Sequence, residues 1–174
     1  GTFNRSRFAE NIDRQRGEII PCVISLGLEA DAPRLLDTAT RWTAGSDRRL
    51  PWSELFFEGS FENPLLPETA GAFKHPLEML RLAPSASNKQ PWRILIKREQ
   101  VDFFLKRTPN YPSQIWKTLL KIADMQRVDM GIAMAHFELT ALEEGRTGQW
   151  VNAPPKRSSF LPGVEYIISW KASS

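Results

Sequence analysis

Ala83-Pro84-Ser85-Ala86-Ser87-Asn88-Lys89-Gln90-Pro91-Trp92-Arg93 packs two prolines, serine hydroxyls, two side-chain amides and an aromatic into one short stretch. Each proline fixes φ and removes a backbone donor, so the stretch reads as a stiff loop with few N–H groups left to aim. Asn88 and Gln90 offer both donors and acceptors, a set that matches the edge of a flat heteroaromatic ring with alternating C=O and N–H. The same residues also suit a capped turn in which Ser85 and Asn88 bond their own backbone. The residues alone leave both readings open.

Working outward, the loop separates a helix from a strand. Pro76 to Leu82 fits a helix with Leu77, Leu80 and Met79 on its apolar side, and Pro84 ends it. Trp92 to Lys97 alternates, with Ile94 and Ile96 on one face and Leu95 on the other, and predicts a strand. Val101 to Leu105 is expected to be its antiparallel neighbour across a charged turn. Upstream, the apolar stretch Ile19–Leu28 predicts a buried strand, and Pro33 to Trp42 a helix stopped by Gly45. A basic link, Ser46-Asp47-Arg48-Arg49-Leu50-Pro51, leads to an aromatic cluster at Trp52, Phe56, Phe57 and Phe61.

Downstream, Ser113 to Met125 predicts an amphipathic helix. A longer helix is expected to start at Asp129 as N-cap, with Ile132, Ala135, His136, Leu139 and Leu142 at three- and four-residue spacing, and to stop at Gly145 and Gly148. Gly131, Ala133, Ala135 and Ala141 suit close packing of that helix against another. Val164 to Trp170 predicts a final strand. Helices and strands alternate irregularly, so the fold class is α+β.

Composition narrows the function. The chain has 174 residues, 41% hydrophobic and 25% charged, an ordinary globular mixture. Its net charge is 23 − 20 = +3, a weak field that does not favour nucleic-acid binding despite a pI near 9.2. The longest apolar stretch falls well short of the roughly 20 residues a spanning helix requires, so no membrane partner is expected. A lone cysteine, Cys22, is expected to be a small core hydrophobe and suits a reducing, cytoplasmic setting. Two histidines, His75 and His136, do not make a usual zinc set, and no metal is expected. No nucleophile elbow and no glycine-rich phosphate loop is present, so no side-chain catalytic set is assigned.

The segment from Ala83 to Trp92 resembles the A-P-S-[SA]-x-N-x-Q-P-W signature of the nitroreductase-like flavoproteins. Asp129-Met130-Gly131-Ile132-Ala133, continuing through Leu139, Ala141 and Gly145, is similar to the family's central helix. The resemblance implies a nitroreductase-like α+β fold around a long central helix, with FMN as cofactor and NAD(P)H as electron donor. It further implies a nitro, quinone or similar flat acceptor as the small-molecule partner. The implied cofactor-binding residues are Pro84, Ser85, Ala86, Asn88 and Gln90 in the loop. Arg48 and Arg49 before Pro51 resemble the basic element that holds the FMN phosphate. Lys89 or Arg93 would stabilise the N1–C2=O region of reduced flavin, the alternative being a solvated role.

The basic element precedes the loop here, whereas in ordinary members it follows. That order resembles the nitroreductases whose single chain holds two nitroreductase-like halves and imitates the usual homodimer as a monomer. It implies that residues 1–58 are the tail of a first half and 59–174 most of a second, together one compact unit. The family's N-terminal R-x-S-x-R-x-F element has no match at its proper spacing, so a further stretch is expected before Gly1. Two other functions stay open: a flavin-binding protein of the same fold without turnover, and a basic interaction module.

Overall fold

The computed structural model describes residues 9–18, 20, 23, 26–27, 45, 47–109, 123–155 and 163–173. The chain divides into two compact units, Gly1–Thr38 and Ala39–Ser174. In the first, residues 9–11 form a helical turn, closed where Arg14 N–H donates to Ala9 O at 2.9 Å, and Gly17 follows at φ +96°. Most of the strand expected at Ile19–Leu28 lies outside the described residues, Cys22 included. Of its described members Ile20 is half-buried and Val23, Leu26 and Gly27 are exposed, and none lies in a strand, so they are not the buried strand positions expected. The helix expected at Pro33–Trp42 also lies outside the described residues, as does that at Ser113–Met125 but for residues 123–125.

The second unit holds a five-stranded sheet. Helix α1 (Trp52–Leu55) runs directly into strand β1 (Phe56–Glu58), where two consecutive aromatics suit extended backbone. A 3₁₀ turn at Gly71–Phe73 leads into α2 (Lys74–Leu82), and Ala83, in extended backbone, stops that helix before Pro84. Strands β2 (Trp92–Lys97) and β3 (Gln100–Lys106) form the expected hairpin across Arg98-Glu99. The long helix α3 (Met125–Glu143) is followed by β4 (Gly148–Val151) and β5 (Val164–Ala172). The strand order is β1-β2-β3-β5-β4; β1 lies parallel to β2 and every other pairing is antiparallel.

Alternation along β2 settles which side chains meet the helices. Trp92, Ile94 and Ile96 join Leu77 and Leu80 of α2 and Ala133 and Phe137 of α3 in the main core. Leu95 points the other way, into a smaller aromatic cluster with Phe57, Phe61 and Phe104. There Phe61 stands edge-on to Phe57 and to Phe104, with ring centroids 5.1 and 5.0 Å apart.

Helix α3 differs from its sequence reading in two ways. It starts after Asp124, so Asp129 is not the N-cap but a helix-interior residue only 1% exposed. The buried face carries Met130, Ala133, Phe137, Thr140 and Ala141, whereas Leu139 and Leu142 are exposed. Apolar residues occupy both sides of this helix, so of the apolar members of the expected stripe Ile132 packs against the core while Ala135, Leu139 and Leu142 face outward. Gly145 ends the helix at φ +74°, as expected of a C-terminal glycine. Gly148 instead opens β4: a Cβ there would stand 2.2 Å from the Trp170 ring, so only glycine fits.

Candidate functional site

The loop between α2 and β2 is locked rather than open. Ser87, Asn88 and Gln90 all have positive φ (51°, 51° and 46°), a region few non-glycine residues occupy. Tertiary bonds hold that shape. Gln90 N–H donates to Ser85 Oγ at 2.9 Å within the loop, and Ala86 N–H donates to Asp129 Oδ1 of α3 at 2.9 Å.

The amide side chains are not aimed at open space: Gln90 bonds Asn88 within the loop, and both grip backbone at Gly45, Arg48 and Leu50. Asn88 Nδ2 donates to Gly45 O at 2.6 Å and to Arg48 O at 2.8 Å. Gln90 Nε2 donates to Arg48 O at 3.2 Å and to Asn88 Oδ1 at 3.1 Å, and Leu50 N–H donates to Gln90 Oε1 at 2.8 Å. Arg49 completes the clasp: Nε and Nη2 donate to Leu82 O at 3.3 and 3.1 Å, and Nη1 lies 3.5 Å from Asn88 Oδ1. Five of the seven residues singled out from sequence, Ser85, Asn88, Gln90, Arg49 and the backbone of Arg48, are therefore joined in one cluster across some forty positions of chain, and Ala86 is tied to Asp129 beside it. Pro84, exposed at its entrance, is the seventh. Arg48 and Lys89 are exposed beside the clasp.

Of three supporting residues, two escaped the sequence reading and the third was read there only as a helix cap and motif residue. Glu78 accepts from Arg81 in bidentate fashion (2.8 and 2.6 Å) and from Trp52 Nε1 at 2.8 Å, while Arg81 Nη1 donates to Leu50 O at 3.4 Å. The Arg81 hydrogen bonds hold the Glu78 carboxyl below its usual range, against partial desolvation, and Glu78 in turn raises the Arg81 pKa. The i,i+3 spacing of an acid and a base on a helix was the available signal. Asp129 is the third. Burial raises its pKa, the Ala86 N–H bond pulls it back, and Asp124 raises it further. Its Oδ2 is buried without a partner.

Arg93 is not solvated. It is 7% exposed, and Nη1 donates to Gln90 O at 3.2 Å and Trp92 O at 2.5 Å. Desolvation lowers its pKa, partly countered by the field of Glu54. Arg93 thus supports the loop from below, while Lys89 is exposed. His75 pairs with Glu144 at 2.8 Å on the surface. Among the described residues, no group of three or more His, Cys, Asp or Glu could hold a metal ion. No described helix is long and apolar enough to cross a membrane.

The residues fit FMN unevenly. An exposed Arg48 beside Arg49 and Lys89 is a donor set suited to a phosphate. At the ring end both Asn88 Nδ2 hydrogens and Gln90 Oε1 already serve protein partners, so the amides shape the loop. Ring contacts would fall to the loop's partly exposed Ser85–Lys89 stretch.

An α+β sheet backed by a long helix, with an N-x-Q-P-W loop clasped to an arginine pair, defines a nitroreductase-like protein. Residues 1–141 match the family described as "Putative TM nitroreductase", and the chain belongs to that family. Among solved structures, the chain is similar to a crystal structure of a "putative nitroreductase" from Thermotoga maritima, at 23% identity and a TM-score of 0.41. The match covers 71% of this chain and 42% of that one, so this chain spans less than half of its neighbour's length. No curated protein matches the chain.

Proposed function

We propose that the protein is an FMN-dependent oxidoreductase that passes electrons from NAD(P)H to a nitro, quinone or similar flat acceptor in the cytoplasm. The observation that carries the reading is the clasp itself, because it brings the arginine pair and the signature loop into one site. In this scheme the flavin supplies the redox chemistry when bound. Arg48 and Arg49 would hold its phosphate, and Pro84, Ser85, Ala86, Asn88 and Gln90 would form and support the surface against which its ring lies. This explains why no side-chain acid–base set is needed.

The reading extends to organisation. Residues 1–58 would end a first nitroreductase-like half and 59–174 form most of a second, one polypeptide imitating a dimer. The parallel pairing of β1 with β2 supports it, since Phe56–Glu58 would then be lent by the first half to the second half's sheet. Purified protein is expected to be yellow, or to become so on adding FMN, with quenched flavin fluorescence and NAD(P)H consumption when a quinone is supplied. A protein that takes up no FMN overturns the reading. Bound FMN without NAD(P)H consumption selects the alternative, a flavin-binding protein of this fold without turnover.

A further inference from the structure

On the sheet face turned away from α2 and α3, the β2–β3 hairpin end borders a cavity of about 710 Å³. It lies at the far end of β2 from the signature loop: Trp92 to Lys97 spans about 17 Å at roughly 3.3 Å per residue. One wall is the strap Ala153-Pro154-Pro155, held by a closed polar network. Asp102, 1% exposed, accepts from Ser169 Oγ at 2.5 Å and Gln100 Nε2 at 2.7 Å. Ser169 Oγ lies 2.8 Å from Tyr166 Oη, which accepts from Ala153 N–H at 3.0 Å. Gln100 Nε2 and Ser169 Oγ reach Ala153 O at 3.1 and 3.2 Å. The wall is therefore preorganised, and the buried acid is engaged inside it.

What remains at the mouth is mainly cationic. Lys97 is in register with Gln100, and Gln100 with Lys171, so two exposed lysines flank one β3 position on the same face. Their backbones are about 10 Å apart, two strand spacings. Arg98, at the hairpin turn with φ +54°, adds a third cation, and exposed Glu99 is the opposing charge beside it. Among the described residues none of these three cations forms an ion pair. Pro154 and Pro155 line the cavity with apolar surface, over a floor closed by the buried Leu95.

We propose that this cavity is a second binding site, for a phosphate-bearing small molecule of nucleotide size. The lysines and Arg98 take the phosphates, and the proline strap takes a flat apolar body. A volume of about 710 Å³ lies within the range of small-molecule sites, roughly 300–1,000 Å³, and is too large for a lone phosphate. Distance from the signature loop makes it independent of flavin binding.

Isothermal titration of the full chain with ADP, adenosine and inorganic pyrophosphate tests the site. ADP is expected to bind, more weakly as salt rises, with adenosine and pyrophosphate each about tenfold weaker or worse. Lys97→Glu and Lys171→Glu should each weaken ADP binding by about tenfold, while Lys74→Glu, the same charge change on exposed α2, leaves it unchanged. All three lysines are exposed, and melting curves confirm that the variants fold. Absent ADP binding, equal effects of all three variants, or pyrophosphate binding as tightly as ADP would each overturn the proposal.

Discussion

Gln90 shows how little of this site could be assigned by residue type alone. An amide in a proline-rich loop suits a ligand edge or a local cap, and the structure gives it a third role, bonding backbone forty residues upstream. That partner was illegible because nothing local marks Leu50 N–H as an orphan donor; what was legible was the residue set itself. Gln90→Ala leaves a part-buried donor unsatisfied, and urea denaturation should show a loss of about 1–3 kcal/mol. Asn88→Ala removes bonds to Gly45 and Arg48 and should weaken FMN binding more than His136→Ala does; equal FMN titrations would contradict that role. Asp129 gives a prediction in pH. Unfolded, it titrates near the ordinary value of about 3.9; folded, burial raises it. Between the two values the folded state holds more proton, so stability falls as pH rises from about 4 through the folded pKa. Asp129→Asn keeps an acceptor for Ala86 N–H and removes the charge. Its melting temperature should exceed that of the unsubstituted protein at pH 7, and the gap should close near pH 4. A gap of equal size at both pH values would rule out the charge as its cause.

At the level of elements, β2 and β3 were legible because period-two alternation has one structural meaning once both neighbours are strands. Helix α3 was legible in existence but not in orientation. Its sequence carries an apolar stripe through Leu139 and Leu142 and a second through Ala133, Phe137 and Ala141, and no local rule ranks them. Packing does. Phe137 is fully buried, with its ring edge-on to Phe103 at 5.5 Å and to Trp170 at 5.3 Å. Phe137→Ala should therefore cost roughly 3–5 kcal/mol in chemical denaturation, while Leu139→Ala, 62% exposed, should stay within about 0.5 kcal/mol. Comparable losses would mean that the outer stripe is packed in solution. β4 was missed for a different reason. Gly148 looks like a helix stop, yet its lack of a side chain is what lets β4 lie against Trp170. Gly148→Ala should destabilise by about 1–3 kcal/mol through overpacking, read as a lowered melting temperature.

At the scale of the molecule, motif order and physical compactness place boundaries differently, and the difference can be measured. Motif order suggests a break after residue 58, where the basic element ends and the signature loop's own half begins. Compactness separates Thr38 from Ala39 and leaves the Arg48–Glu58 segment with the sheet. The segment's bonds explain this. Leu55 and Phe56 are fully buried in the main core, β1 supplies an edge strand to β2, and Leu50 N–H is held by Gln90. Trp52 adds its bond to Glu78 and an edge-on contact to Phe56 at 4.6 Å. Such a segment is structurally inseparable from the sheet even where its ancestry differs, because burial is decided by contact and not by sequence order. A chain of residues 39–174 should therefore melt cooperatively by circular dichroism and retain whatever FMN affinity the full chain has. A chain of residues 59–174 loses an edge strand, three large buried side chains and the partner of the signature loop. It should show no cooperative transition. If both fragments melt alike, the Arg48–Glu58 segment is an accessory to the sheet and the clasp is not what shapes the loop.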